Sequence, residues 1–177
     1  MAEVPLAAAV RHIRRAVATT ADRGETDRDL LAAFAADRDE AAFAALVERH
    51  GRMVLGVCRR VAGDAHDAED AFQATFLVLA SKAGSVRSGE ALAGWLHGVA
   101  YRTAMRARRD AGRRRKHEAR GAKAASADPA AELAWRDAQA VLDEEVARLP
   151  GTFREPFVLC CLEGLSKPEA ARRLGLK

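Results

Sequence analysis

A chain of 177 residues with 49% hydrophobic but only 5% aromatic content holds one ordinary domain or two small ones. Alanine supplies much of its apolar share, which favours closely packed helices over a sheet. Cys58, Cys160 and Cys161 form neither a disulfide framework nor a paired metal spacing. Arg11, His12, Arg14 and Arg15 interrupt the one N-terminal apolar stretch, so a secreted or membrane-inserted protein is excluded in favour of a reduced, cytoplasmic one.

The formal charge of +4 and pI near 9.3 are modest, but their distribution is not. Residues 102–120 hold nine Arg or Lys against Asp110 and Glu118, whereas residues 64–70 are acidic apart from His66. Charge localised in this way points to nucleic acid at one site and a basic partner at another.

In chain order, residues 4–19 read as a short basic amphipathic helix or a frayed extension, and residues 21–25 as a break. Thr26 can cap the next helix, with Asp29 at its third position as a capping-box partner. Leu30, Leu31 and Phe34 form its apolar stripe, and residues 37–39 allow a turn. Phe43, Leu46, Val47, Val54, Leu55 and Cys58 recur at helical spacing through residues 40–61. Gly51, inside that pattern, costs about 1 kcal/mol of helix propensity and suggests a kink or close packing. Gly63 ends the helix. Asp64 or Asp67 starts another, expected to bury Ala71, Phe72, Phe76, Leu77 and Leu79.

Residues 84–90 have the composition of an exposed loop. A long helix then runs from about residue 90 past Arg109, amphipathic at first (Leu92, Trp95, Leu96, Val99, Met105) and basic later. The stretch before Pro129 lacks a periodic stripe and reads as a linker. A second helical unit follows: residues 130–149, a Pro150-Gly151 turn, and a helix over 152–163 with Phe153, Phe157, Val158 and Leu159 inward and Pro156 tolerable in its first turn. Ser166 caps a final short helix with Glu169 as its capping-box partner, and Ala170, Ala171 and Leu174 face inward. The fold class predicted is all-α.

The acidic cluster Asp64, Asp67, Glu69 and Asp70 reads first as a helix N-terminus, where the macrodipole favours carboxylates by about 0.3–1 kcal/mol each; the alternative is docking of a basic protein surface. Gln73 and Thr75 extend the polar face beyond what capping requires. Trp95 reads as core, while Tyr101, beside Arg102, stands where an aromatic face can stack on an unpaired base. His97 has no second metal ligand at a useful spacing. The run Arg102, Arg106, Arg108, Arg109, Arg113, Arg114, Arg115 and Lys116 would repel itself unless phosphates neutralise it. Residues 162–177 resemble the first half of a helix-turn-helix. No phosphate-binding glycine loop or activated nucleophile is visible, and Cys160 and Cys161 read as inert core thiols. The chain is expected to be no enzyme and to need no cofactor or metal.

Two segments are more specific. Ala68-Glu-Asp-Ala-Phe-Gln-Ala-Thr-Phe76 and Gly94-Trp-Leu-His-Gly-Val-Ala-Tyr-Arg102, supported by Leu149-Pro150 and the segment 157–174, resemble the sigma-70 family of bacterial RNA polymerase sigma factors, of the extracytoplasmic-function type. The resemblance spans about residues 27–177. It implies two small bundles joined by a flexible linker: a sigma region 2 domain over 26–118, after an extension over 1–25, then a linker over 119–129 and a region 4 helix-turn-helix domain over 130–177, truncated before its recognition helix. It also implies that Asp67, Glu69, Asp70, Phe72, Gln73 and Phe76 dock on core RNA polymerase. Promoter DNA falls to Ser85, Arg87 and Ser88 in the base-capturing loop, to Trp95, Tyr101, Arg102, Arg106 and Arg109 on the following helix, and to Lys167, Arg172 and Arg173 in the last unit. An anti-sigma factor is a further partner the resemblance allows. The missing recognition helix leaves a fragment of a longer protein or a truncated, inactive homologue open. A helical DNA-binding regulator that never meets polymerase is the alternative from another class.

Overall fold

Local capping chemistry sets the helix boundaries in the computed structural model, which describes residues 25–86, 92–118 and 130–176, without the side chains of 115–118 and 130–137. Helix α1 (Asp27–Asp37) begins at the expected box: the Thr26 amide donates to Asp29 Oδ2 at 3.1 Å and the Asp29 amide to Thr26 Oγ1 at 3.2 Å. Arg38 ends it in the left-handed region at φ 56°, a conformation that disfavours a side chain by about 1–2 kcal/mol. Compensating contacts hold it there. The guanidinium lies 5.3 Å from the Phe34 ring centroid and donates to the Ala80 carbonyl at 3.2 Å. Asp39 then caps α2 (Glu40–Ala62) by accepting from the Ala41 and Ala42 amides. Gly63, at φ 82°, closes α2, and Asp64 caps α3 (Ala65–Lys82) through the His66 and Asp67 amides. A 3-10 turn, Ala83–Ser85, follows.

Helix α4 (Leu92–Glu118) is the longest. Helices α2, α3 and α4 pack on one another around Leu46, Val54, Val57, Cys58, Val61, Leu79 and Leu96, all fully buried. Phe34, Phe43, Phe76 and Phe72 form an aromatic chain on one flank, with successive centroids 4.6, 6.3 and 5.1 Å apart. Helix α2 runs unbroken through Gly51. That glycine lies under Phe72, whose ring would stand 3.8 Å from a Cβ placed there.

The C-terminal part comprises α5 (Ala130–Arg148), α6 (Gly151–Phe157), a π turn (Val158–Leu162) and α7 (Lys167–Arg173). It packs directly on α2 and α4, so that Val146, Val158, Leu159 and Ala170 join the same apolar cluster as the first helices. The described residues contain seven α-helices and no strand. The Ser166–Glu169 capping box forms as expected, the Ser166 amide donating at 2.9 Å.

Several expectations are corrected. Leu77 is 70% exposed and Phe153 65% exposed, although periodicity placed both inward. Pro156 is the sixth residue of α6 rather than part of its first turn. Lacking an N–H, it leaves the Thr152 carbonyl without its helical donor, and the helix widens directly afterwards into the π turn, where the Glu163 amide donates to the Val158 carbonyl at 3.0 Å. Cys161 is exposed and so is not the core thiol expected, whereas Cys160 is half-buried and packs against the core, and Cys58 is fully buried. The basic segment 4–19, the loop beyond Val86 and the linker lie outside the described residues.

Candidate functional site

On α3, Glu69, Asp70, Gln73 and Leu77 are exposed. Their spacing of three, four and seven residues puts them along one helical face, an acidic and amide stripe ending in a bare leucine. Phe72 is half-buried behind it, and Phe76, 6% exposed, lies in the aromatic chain beneath. Asp67 differs from its neighbours: its side chain is 14% exposed and pairs with Arg114 Nη2 of α4 at 2.9 Å. This exposed ion pair, of a kind worth about 0–1 kcal/mol, is one link between the acidic helix and the basic helix. Glu69 and Asp70 remain at the surface, so the two charged faces are not buried against each other.

Along α4, Arg102, Arg106, Arg109 and Arg113 are exposed at intervals of four, three and four, which makes them one stripe. Arg113 also bonds Asp110 on its own helix. Trp95 and Tyr101 are half-buried and pack against the core. Burial, reinforced by the Glu144 carboxylate, pushes the Tyr101 phenol up. Ser85, in the 3-10 turn, is exposed and donates to the Lys82 carbonyl at 2.9 Å. Arg87 and Ser88 lie outside the described residues. On α7, Lys167 and Arg172 are exposed, but Arg173 turns inward and donates to Glu163 Oε2 at 3.1 Å and Asp27 Oδ1 at 3.4 Å.

Three buried polar clusters, unread from the sequence, join the C-terminal helices to the first part. Fully buried His50 has Nδ1 2.7 Å from Glu163 Oε1 and Nε2 3.0 Å from Asp27 Oδ2. Both partners are carboxylates and accept, so only the doubly protonated ring satisfies both. Burial opposes that charge, but the hydrogen bonds the ring donates to Asp27 and Glu163, with their negative charge, outweigh it and hold the imidazole pKa up. Asp27, which also accepts from Arg49 at 2.5 Å, is burdened by burial yet held far below the carboxylate range by these cations.

In the second cluster Arg60 grips Asp143 with both Nε (2.7 Å) and Nη2 (2.9 Å), and His97 Nε2 sits 3.2 Å from the same carboxylate. In the third, Glu155 Oε1 accepts from the Gly94 amide at 3.1 Å, while Oε2 is buried with no hydrogen-bond partner. Burial pushes this carboxyl up to about 7. A faint signal existed for Asp143, an acid three residues before Val146 on the inward stripe of α5. Nothing local announced His50 or Glu155. Among the described residues no group of three His, Cys, Asp or Glu is arranged to hold a metal ion, and no helix is long and apolar enough to cross a membrane.

Comparison with known proteins follows the same geography. The family model "Sigma-70 region 2" matches residues 46–114, from mid-α2 to the arginine stripe. The chain is 33% identical over 153 residues to the ECF RNA polymerase sigma factor SigE of Mycolicibacterium smegmatis, covering 82% of this chain and 59% of that one. It is 32% identical to ECF RNA polymerase sigma factor SigM of Mycobacterium tuberculosis (85% and 74% covered) and 33% identical to ECF RNA polymerase sigma factor SigK of Mycobacterium sp. strain KMS (84% and 80%). The solved structure of CnrH in complex with the cytosolic domain of CnrY aligns at a TM-score of 0.46 and 25% identity, over 86% of this chain and 85% of that one.

Proposed function

Given that the chain belongs to the sigma-70 family of RNA polymerase sigma factors, in the extracytoplasmic-function group, we propose that it recruits core RNA polymerase to promoters in the cytoplasm and stabilises their melted strands. The family works by binding, without bond chemistry. In this reading residues 26–118 form the unit that meets both polymerase and the melted element, and residues 130–177 the second DNA-contacting unit.

Glu69, Asp70 and Gln73 dock on a basic polymerase surface, with Leu77 adding an apolar contact that the sequence reading had assigned to the core. Asp67 contributes through its pairing with Arg114, and Phe72 and Phe76 set the angle of α3 from beneath. Ser85, with Arg87 and Ser88, captures unpaired bases. Trp95 and Tyr101 offer aromatic edges, and Arg102, Arg106 and Arg109 track the phosphates. Lys167 and Arg172 supply phosphate contacts in the second unit, and Arg173 joins them only when it leaves Glu163 and Asp27. Each stacked base contributes about 1–3 kcal/mol against unstacking of a few kcal/mol per base, so melted strands are favoured over intact duplex when several contacts act together.

The observation that carries this reading is the exposure, on one small helical body, of an acidic stripe and an arginine stripe, with Asp67–Arg114 a surface ion pair between the two helices. A pull-down with core polymerase tests the first half: Asp70→Arg and Glu69→Arg each reduce recovery of the complex, and undiminished recovery in both refutes the docking assignment. Binding to forked promoter DNA tests the second. Equal affinity for forked and fully paired DNA would favour a duplex-binding regulator instead.

A further inference from the structure

Helices α3 and α4, to which polymerase and promoter contact are assigned, are joined in their interior by a pair of threonines. Thr75, expected with Gln73 on the polar face, is instead fully buried. Its Oγ1 donates to the Ala71 carbonyl at 2.7 Å and lies 3.0 Å from Thr103 Oγ1 of α4. Because Thr75 spends its proton on Ala71, the bond across the helices is the one Thr103 donates, to the Thr75 oxygen or to the Ala71 carbonyl at 3.3 Å, both on α3. The Val99 and Ala100 carbonyls of its own helix, at 3.1 and 3.0 Å, lie within reach of the same proton. The Cys58 thiol of α2 borders the Thr75 hydroxyl; burial pushes it up to about 12, so the cluster carries no charge.

Around this clasp the buried residues of the two helices are largely small. Ala68 and Ala71 of α3 and Ala100, Ala104 and Ala111 of α4 are buried, whereas the larger Leu79 and Leu96 lie towards the end of α3 and the start of α4. Apolar contact is non-directional. Alanines three or four apart repeat with each helical turn, so a slip of one turn, about 5.4 Å, meets a similar surface. A buried hydroxyl pair is directional, and such a slip exchanges its cross-helix bond for contact with carbon. The surface pair Asp67–Arg114 bridges the same helices, but in water it is weak and yields to salt. Pairing of 67 with 114 and of 75 with 103 makes the helices antiparallel. The face of Glu69, Asp70 and Gln73 therefore keeps a fixed offset from Arg102, Arg106 and Arg109 as long as that register holds.

We propose that Thr75 and Thr103 are positioning residues: their hydroxyl clasp fixes the register of α3 against α4, and so holds the strand-binding arginines at the offset from the polymerase-docking face that the assembled complex needs. The inference rests on the reading of α3 as the polymerase face and α4 as the strand face, and goes beyond it by naming what couples them. Thr75 has no surface to offer either ligand, and Thr103 acts through Arg102 and Arg106 on the same helix. Polymerase held at α3 raises the affinity of α4 for melted strands through this fixed geometry. Each ligand by itself sees one helix face and is indifferent to register.

The test compares Thr75→Val/Thr103→Val with Thr75→Ser/Thr103→Ser in the full chain. Valine keeps the shape and removes both hydroxyls together. The Ala71 and Val99 carbonyls keep their own helical amide donors, so no buried polar atom is orphaned and the thermal midpoint stays near that of wild type. Serine keeps the hydroxyls and gives up the methyls. The quantities measured are the melting midpoint, the affinity for core polymerase, and the affinity of the assembled polymerase complex for fluorescent forked promoter DNA. The valine pair is expected to leave the first two unaltered and to weaken the third about fivefold or more; the serine pair keeps the third near wild type. Should the valine pair lose its helical circular dichroism, Thr103→Val alone, which leaves Thr75 bonded to Ala71, carries the same expectation at about twofold. Unaltered forked-DNA binding in a folded valine variant overturns the positioning role. So does a serine pair as weak as the valine pair, since methyl packing would then be the cause. An equal fall in polymerase affinity overturns it too, because the hydroxyls would then shape the α3 face rather than its offset. A wild-type complex that binds forked DNA no better than polymerase alone sinks the reading of α4, and the positioning role with it.

Discussion

Residues between the C-terminal helices and the first part carry the pH dependence of this protein. Glu155, whose carboxyl is lifted by burial from the ordinary 4.5 to about 7, stabilises the fold below pH 4.5, and the contribution is lost as pH rises through 7. His50, raised above 6.5 against the cost of its own burial, contributes fully below pH 6.5 and loses its contribution as pH climbs through its folded value. Asp27 and Asp143 are lowered below 3.8, so their contributions are present above that value and lost in acid. His50 faces Asp27 on α1 and Glu163 after the π turn, both of which also bind Arg173 of α7; Glu155 faces Gly94 and senses Arg154, His50 and Asp27. Urea melts between pH 5 and 9 are therefore expected to show stability falling with pH, by on the order of 1–3 kcal/mol from Glu155 alone. Glu155→Gln should flatten the fall below pH 7 and leave the part due to His50. A profile that rises over this range would refute the assignment. Gly94 gives a companion prediction. Gly94→Ala gains about 1 kcal/mol of helix propensity but forces the Glu155 carboxyl aside, and the net is a loss of about 1–3 kcal/mol, read in the same melts.

Among the elements, helix ends were legible and helix faces only partly so. Thr26 with Asp29, Gly63, Asp64, and Ser166 with Glu169 act within four residues of themselves, so their chemistry is written in the local sequence. Leu77 and Phe153 obey helical periodicity yet are exposed, because burial depends on which other element arrives. His50 and Glu163 are 113 positions apart, and no spacing rule reaches that far. The acidic and basic stripes were readable because like charges at helical intervals leave few intramolecular alternatives.

Gly51 and Leu77 turn this contrast into predictions at the scale of the helix. A Cβ at Gly51 meets Phe72 only at ordinary contact distance, so Gly51→Ala in α2 should be neutral or stabilising by up to about 1 kcal/mol, unlike its counterpart at Gly94. Leu77→Ser should leave the melting midpoint nearly unchanged, within about 0.5 kcal/mol, because its side chain is already in water. If α3 docks through its exposed face, the same substitution weakens core polymerase binding about tenfold in a titration. Lost stability together with unchanged docking would return Leu77 to the core.

For the molecule as a whole, separation of charge has a measurable signature in salt. The stripe of Arg102, Arg106, Arg109 and Arg113 presents four exposed guanidiniums along one helical face. Each phosphate neutralised on a single strand releases counterions, contributing about −0.7 to the slope of log affinity against log salt. Four such contacts give a slope near −3, and replacing Arg106 with Gln should reduce its magnitude by about 0.7 with little change in thermal stability. Asp70→Arg, on the opposite charged face, should leave this slope nearly unaltered while weakening polymerase binding. Glu69→Arg should do the same. Were these acidic-face substitutions to steepen DNA binding as strongly as Arg106→Gln relaxes it, both stripes would be serving one ligand, and the division between a polymerase face and a strand face would not hold.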